Sequence, residues 1–188
     1  MLTIYEPIVS GTAISFEITP PTAEEFGQRV RELQERNPWL VCETRDRLLG
    51  FAYSRPHRSR PAYQWSVEVS VYVDSKHLRQ GVGQALYTSL LNVLRLQGYR
   101  NVYALINIPN PASTALHRSM GFEPLVVFKS VGHKLGAWHD VQWWQLILRD
   151  KRPRRPQPPL SMADVQKLDG WARALRSGLD VFEKTGED

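Results

Sequence analysis

The sequence predicts one α/β domain built on a mixed sheet, followed by a C-terminal helical extension. Three observations carry this. Residues 66–73, "SVEVSVYV", alternate strictly: Val67, Val69, Val71 and Val73 point one way, and Ser66, Glu68, Ser70 and Tyr72 the other, the period of a strand. Residues 84–98, "QALYTSLLNVLRLQG", set Leu86, Leu90, Val93 and Leu94 on one helical face and close on Gly98. The order of segments from "WLVCET" to residue 149 reads β-β-β-α-β-α-β-β, too interleaved for separate α and β domains.

Taken in order, "GTAISFEI" at 11–18 has a strand-like pattern. Thr22 with Glu25 forms a capping box for a helix over about 22–36, with Phe26, Val30 and Leu33 on its apolar face and Pro38 beyond it. "WLVCET" and "LLGFAYSR" read as strands joined by the turn "RDR", and "RPHRSRPAYQW" as an irregular basic loop. After the 66–73 strand and the long helix come the strand "NVYALIN", a helix over about 111–119 closed by Gly121, and strands near "LVVFKSVG" and "VQWWQLIL". The domain is expected to span 1–149. A Pro-rich basic connector follows at 150–160. A single amphipathic helix is expected over 161–188, with Val165, Leu168, Ala172, Leu175, Leu179 and Phe182 as a narrow stripe that must dock on this body or on a partner.

Composition limits the functional classes. With 42% hydrophobic and 23% charged residues among 188, the chain is globular in character. No apolar run reaches the length of a membrane span, and no secretory leader is visible, so a cytoplasmic protein is expected. The single cysteine, Cys42, excludes an internal disulfide framework and a Cys-based zinc site, and it reads as a small buried strand residue; no metal is expected. The net charge of +5 favours anionic partners. The one dense basic run, "RDKRPRRP", lies in the connector without interleaved aromatics, so nucleic acid is not an expected partner.

Between the 66–73 strand and the long helix lies "LRQGVGQ". A strand, a glycine-rich turn and a helix N-terminus together form an anion cradle, because first-turn N–H groups lack helical partners and the helix dipole is positive there. Gly81 and Gly83 remove Cβ atoms that would block close approach, and Arg79 adds a charged donor. No Gly-Lys-Ser/Thr follows and no third glycine is correctly spaced, so neither a Walker loop nor a dinucleotide fingerprint is present. Alone, the two glycines are equally consistent with close helix–sheet packing.

In context, "VSVYVDSKHLRQGVGQALYTSLL" resembles the core motif of the GNAT superfamily of acyl-CoA-dependent N-acyltransferases. "NIPNPASTALHRSMGFEP" is similar to the family's next motif. The blocks "TAISFEITPPTAEEF", "PWLVCE", "RSRPAYQWSVEVSVYV", "LYTSLL" and "WHDVQWWQ" look like the phosphinothricin and methionine sulfoximine N-acetyltransferases, over roughly residues 4–149. The resemblance implies a centrally split sheet and acetyl-CoA as co-substrate. It implies pantetheine contacts from the strand backbone at Val71, Tyr72 and Val73 and from Asn110. The pyrophosphate would be held by Arg79, Gln80, Gly81, Val82, Gly83 and Gln84. It also implies a homodimer. Two departures stand out: Leu78 occupies the motif's usual Arg/Gln position, and the family's first strand is missing before "TAISFE".

Acetyl transfer needs a neutral amine, and an amine of pKa about 8 to 10 is mostly protonated at neutral pH. Glu68, on the non-valine side of the strand leading to the cofactor turn, is the expected base and matches the subfamily's. His117 occupies the family's acid position and is expected to serve the departing thiolate or the substrate. Arg58, Arg60, Tyr63, Ser70 and Tyr72, with Glu68, are expected to line a pocket for a small amino-acid-like amine, an arginine fork suiting a carboxylate or phosphinate. His139 is read as core. The alternatives are another amine, such as a peptide N-terminus, a polyamine or an antibiotic, or a non-catalytic acyl-CoA-binding regulatory module.

Overall fold

The computed structural model describes residues 1–150 and 153–185. Six strands, β1 (Trp39–Glu43), β2 (Leu48–Pro56), β3 (Ser66–Val73), β4 (Asn101–Ile108), β5 (Glu123–Lys134) and β6 (Ala137–Ile147), form one sheet in the order β1-β2-β3-β4-β6-β5. Only the β3–β4 pair is parallel, so the sheet is mixed, as the sequence predicts.

Alternation along β3 divides the molecule. The valine side faces α3 (Val82–Gln97), whose Leu90, Leu91 and Leu94 are buried against Val67, Val69, Val102, Ala104 and Trp144. The opposite side meets α1 (Leu2–Gly11) and α2 (Ala23–Gln34) in an aromatic cluster: Tyr5 and Phe26 pack on Trp39, Phe51 and Tyr53, with Trp39 stacked on Tyr53 at 4.2 Å. Burying such rings supplies much of the apolar driving force for this layer. The Thr22–Glu25 capping box opens α2 as expected. α4 (Pro111–Ser119) follows β4 and is closed by Gly121 at φ +83°.

Two expectations need correction. "GTAISFEI" is no strand. Residues 12–22 lie outside regular structure, tied by side chains instead: Ser15 Oγ meets the Tyr5 hydroxyl at 2.9 Å, and the buried Lys134 ammonium donates to the Val9 and Ser15 carbonyls at 2.6 and 2.7 Å. The helix before it, α1, was not legible because Pro7 lies inside it; Tyr5 and Val9, four apart, bury its face. The sheet starts at Trp39, with no earlier strand among the described residues.

The C-terminal stripe, second, is not one helix. It breaks into α5 (Met162–Val165), α6 (Trp171–Arg176) and α7 (Leu179–Thr185) around "DG" at 169–170 and "SG" at 177–178. The broken phase changes the buried set. Val165 and Ala174 are buried and Phe182 packs on the main core, while Leu168, Leu175 and Leu179 stay exposed and Ala172 does too. The segment docks on its own body. Ser89 donates to the Leu175 carbonyl at 2.7 Å and accepts from the Gly178 amide at 3.0 Å. Gly178 lies so close to α3 that a Cβ there would overlap the Ala85 carbonyl. The connector is also anchored, through Trp65 Nε1 to the Gln157 carbonyl and Gln97 Nε2 to the Leu160 carbonyl, both 2.9 Å. Its Lys151 and Arg152 lie outside the described residues. No described helix is long and apolar enough to cross a membrane.

Candidate active site

β3 and β4 pair only at Ser66–Asn101, Val67–Val102 and Glu68–Tyr103. Beyond that point β3 continues to Val73 on β2, and β4 to Ile108 on β6, with no ladder between them. The sheet is split at its centre. Backbone groups of β3 from Val69 to Val73 that face the gap have no strand partner there, which offers an extended ligand a row of donors and acceptors. The stretch includes Ser70, Val71, Tyr72 and Val73, so their backbones border the split.

At the C-terminal end of β3 the chain turns through Arg79 (φ +61°) and Gly81 (φ +78°) into α3. Side chains of Thr22, Asn110 and Ser161 cap α2, α4 and α5, whereas no side chain caps α3. The N–H groups of Val82, Gly83 and Gln84 are thus open to an anion at the positive end of a long helix dipole. The two glycines serve different ends. Gly81 is required by its left-handed conformation. Gly83 faces protein: a Cβ there would lie 3.3 Å from Leu116 Cδ2 and 3.7 Å from Val73 Cγ2. It allows β3, α3 and α4 to converge, the close packing that the sequence leaves as the alternative for this pair. Gln80 contacts the Lys76 carbonyl weakly at 3.5 Å, and Leu78 is 56% exposed. Asn110 Oδ1 accepts the Ser113 amide at 3.1 Å, a capping role that the sequence did not reveal.

Where β3 and β4 part, four ionisable groups converge. Glu68 is only 6% exposed. Its Oε2 accepts from Arg55 Nε at 3.0 Å and Nη2 at 2.7 Å; its Oε1 meets His57 Nδ1 at 3.0 Å and Arg58 Nη1 at 3.5 Å. A solvated strand glutamate is thereby excluded. Arg55 follows from register, standing opposite Glu68 in the β2–β3 ladder. Desolvation works against its charge, but the Glu68 carboxylate more than compensates, holding the guanidinium above its ordinary pKa. Around the cluster stand aromatic rings: His57 lies 4.6 Å from Tyr103, 5.6 Å from Trp143 and 5.8 Å from Tyr63, and the Arg58 guanidinium sits 5.6 Å above Trp143. Arg60 leads into a 3-10 turn at Pro61–Tyr63, and its side chain has no hydrogen-bond partner among the described residues. Tyr72 packs its ring on Tyr5 at 4.9 Å and Phe51 at 5.2 Å, so its side chain belongs to the aromatic layer beneath the cleft; burial pushes its phenol well up.

His117 is buried, not on the helix surface. Its Nδ1 lies 2.8 Å from the Ser113 carbonyl and therefore carries the proton; Nε2 accepts from the Tyr87 hydroxyl at 3.1 Å. Burial lowers its pKa, so the ring is neutral at pH 7. His139 is half-buried, bonded through Nε2 to the Lys134 carbonyl at 2.9 Å, and belongs to neither core cluster; of the tryptophans Trp138, Trp143 and Trp144 near it in sequence, Trp144 alone is core, Trp138 being 67% exposed. Cys42 is half-buried on β1, with burial raising its thiol pKa.

Residues 2–143 match the model of the acetyltransferase (GNAT) domain. The chain belongs to the GNAT acetyltransferase family. It is an N-acetyltransferase of that family, with acetyl-CoA as co-substrate, and the split sheet and uncapped helix end fit such a ligand. It is 38% identical over 153 residues to phosphinothricin N-acetyltransferase of Streptomyces viridochromogenes, covering 81% of this chain and 84% of that one. It is 32% identical over 157 residues to the L-methionine sulfoximine/L-methionine sulfone acetyltransferase of Pseudomonas paraeruginosa, covering 81% and 90%. A phosphinothricin acetyltransferase from Sinorhizobium meliloti, solved with acetyl-CoA, superposes with a TM-score of 0.79 at 32% identity, covering 83% of this chain and 85% of that one. The segment from α5 onward lies beyond the family match.

Sequence reasoning missed Arg55, His57, Tyr103 and Trp143. The available signal was pairing. Once β2 and β3 are set antiparallel, Arg55 falls opposite Glu68, and Trp143 reaches the cluster only through the β4–β6 register with Leu105.

Proposed function

We propose that this N-acetyltransferase acetylates the α-amino group of a small amino acid bearing a second, acidic or strongly polar head, of the phosphinothricin or methionine sulfoximine type, by direct transfer from acetyl-CoA. The observation that carries the reading is the arginine-bound Glu68 at the fork of the split sheet, on the side opposite α3. Acetyl-CoA lies along the gap, its pyrophosphate on the α3 N-terminus with Arg79, and its arm on the β3 edge near Val71–Val73 with Asn110 across from it. The thioester carbonyl accepts a bond from that edge as charge develops on oxygen. The ammonium proton leaves towards the Glu68 cluster, the amine attacks the carbonyl carbon, and the C–S bond breaks as C–N forms. Arg58, Arg60 and Tyr63 receive the acidic head; Ser70 and Tyr72 form the floor. His117, neutral with both nitrogens engaged, is read as positioning α4 beside the thiol; serving the departing thiolate would require it to release Ser113.

A homodimer and a cytosolic location complete the proposal. The β5–β6 hairpin exposes Leu125, Val126, Phe128, Val131 and Trp138 together, an apolar surface suited to a second copy. The test is thiol release from acetyl-CoA with phosphinothricin, methionine sulfoximine, methionine sulfone, unmodified amino acids, a polyamine and an N-terminal peptide. The reading requires kcat/KM for the first three to exceed the rest by at least tenfold. A preference for the peptide or the polyamine overturns it.

A further inference from the structure

We propose that the group taking the proton from the attacking amine is His57, through Nε2, and that Glu68 acts by holding that ring. This rests on the acetyltransferase reading above and deepens it.

The geometry around Glu68 carries the inference. The carboxylate is enclosed, and the lone pairs of both oxygens are engaged. Oε2 takes two donors from Arg55, and Oε1 meets His57 Nδ1 with Arg58 at its edge. A carboxylate offers about four acceptor directions. Here four donor contacts converge on them, leaving no open direction towards an incoming ammonium.

His57 has the complementary arrangement. Its side chain is 13% exposed, against 7% for Glu68. A carboxylate can only accept, so the contact to Nδ1 requires Nδ1 to carry hydrogen. In the neutral ring, Nε2 is then the lone-pair nitrogen. Nε2 has no hydrogen-bond partner among the described residues. The ring is fixed on three sides by Tyr103 of β4, Trp143 of β6 and Tyr63 of the 3-10 turn. Tyr103 stands opposite Glu68 at the last paired position before β3 and β4 part. His57 is thus anchored at the fork where the acetyl group must lie if the cofactor arm follows the β3 edge.

The charged and titratable groups facing His57 are Glu68, Arg58, Tyr63 and Tyr103, with Arg55 behind the carboxylate. Glu68 accepts from Nδ1 throughout, and the proton taken up at Nε2 passes on to solvent. The step balances. Nε2 takes one proton from R–NH3+, the amine lone pair forms the C–N bond, the C–S pair leaves with sulfur, and the nitrogen's second proton ends on the thiol.

The test uses the full chain with H57Q and E68Q. Glutamine at 57 keeps an amide donor for Glu68. Expected for H57Q is a fall in kcat/KM for phosphinothricin of roughly 100-fold, an unchanged KM for acetyl-CoA, and loss of the acid limb of the pH–rate profile. H57Q retaining that limb and within threefold of the wild-type rate overturns the proposal, as does loss of the limb in E68Q alone. A readout independent of turnover is nitrogen NMR of histidine-labelled wild-type protein at pH 8. His57 with Nε2 unprotonated supports the assignment and Nε2–H overturns it, whatever amine the enzyme prefers.

Discussion

Arg55 holds a single oxygen of Glu68, Oε2, through both Nε at 3.0 Å and Nη2 at 2.7 Å. The two residues face each other across the β2–β3 ladder, so the sheet itself sets the pair. The Arg55 side chain is 56% exposed and the Glu68 side chain 7%, so the arginine brings solvent-side charge to an enclosed carboxylate.

Removing that compensation leaves the carboxylate with His57 and Arg58 alone. Arg55→Met is expected to cost about 1–2 kcal/mol of stability in urea denaturation, the scale of a charge-assisted bond lost at a buried group. Arg55→Lys should recover less than half of this, because an ammonium cannot donate twice in one plane. A Lys variant as stable as the parent would show that only net charge matters.

Gly81 stands at φ +78° at the start of α3, where the proposed anion site begins. Gly81→Val places a β-branched residue in the left-handed region, a strain of about 1–2 kcal/mol, and distorts the turn presenting Val82, Gly83 and Gln84. The KM for acetyl-CoA should rise at least tenfold while the KM for the amine changes little. Calorimetric titration with coenzyme A checks the binding part directly.

His117 makes stability depend on pH. Its folded pKa lies below the ordinary 6.5 because burial disfavours the charged ring. Below about 6.5 the unfolded chain binds a proton that the folded one refuses, so the contribution is complete above that value and is lost as pH falls towards the folded pKa. Melting temperature should drop more steeply between pH 6.5 and 5 in the parent than in His117→Phe. That variant strands the Tyr87 hydroxyl and should lose about 1–3 kcal/mol at pH 7.5.

The docking of the C-terminal segment rests on Gly178, where any side chain meets the Ala85 carbonyl. Gly178→Val should detach α6 and α7 from α3, seen as faster proteolysis within 153–178 and a lower melting temperature. A variant melting as the parent does would show that the segment contributes nothing to the body.

Much of this protein was legible before folding. The alternation of 66–73, the capping box at Thr22 and the leucine face of α3 each arise from neighbours along the chain, and the folded elements match them. The glycine turn before α3 was legible too, because Gly81 and Gly83 are local features of the chain. What the sequence could not supply depends on partners distant in the chain. A strand needs a pairing partner, and "GTAISFEI" pairs with neither sheet edge; Lys134 and Tyr5 hold it instead. The helical stripe after 161 was real as spacing, but "DG" and "SG" reset its phase, and α3 decided which residues it buried. Glu68 was visible as a position; its arginine clamp and its histidine were not, since Arg55 reaches it through the β2–β3 register and Tyr103 and Trp143 enclose its histidine through the β3–β4 and β4–β6 registers. Sequence determined β1 to β6, α2 to α4 and the glycine turn before α3. Tertiary pairing alone decided the chemistry at the fork, because only folding brings those charges within hydrogen-bonding reach.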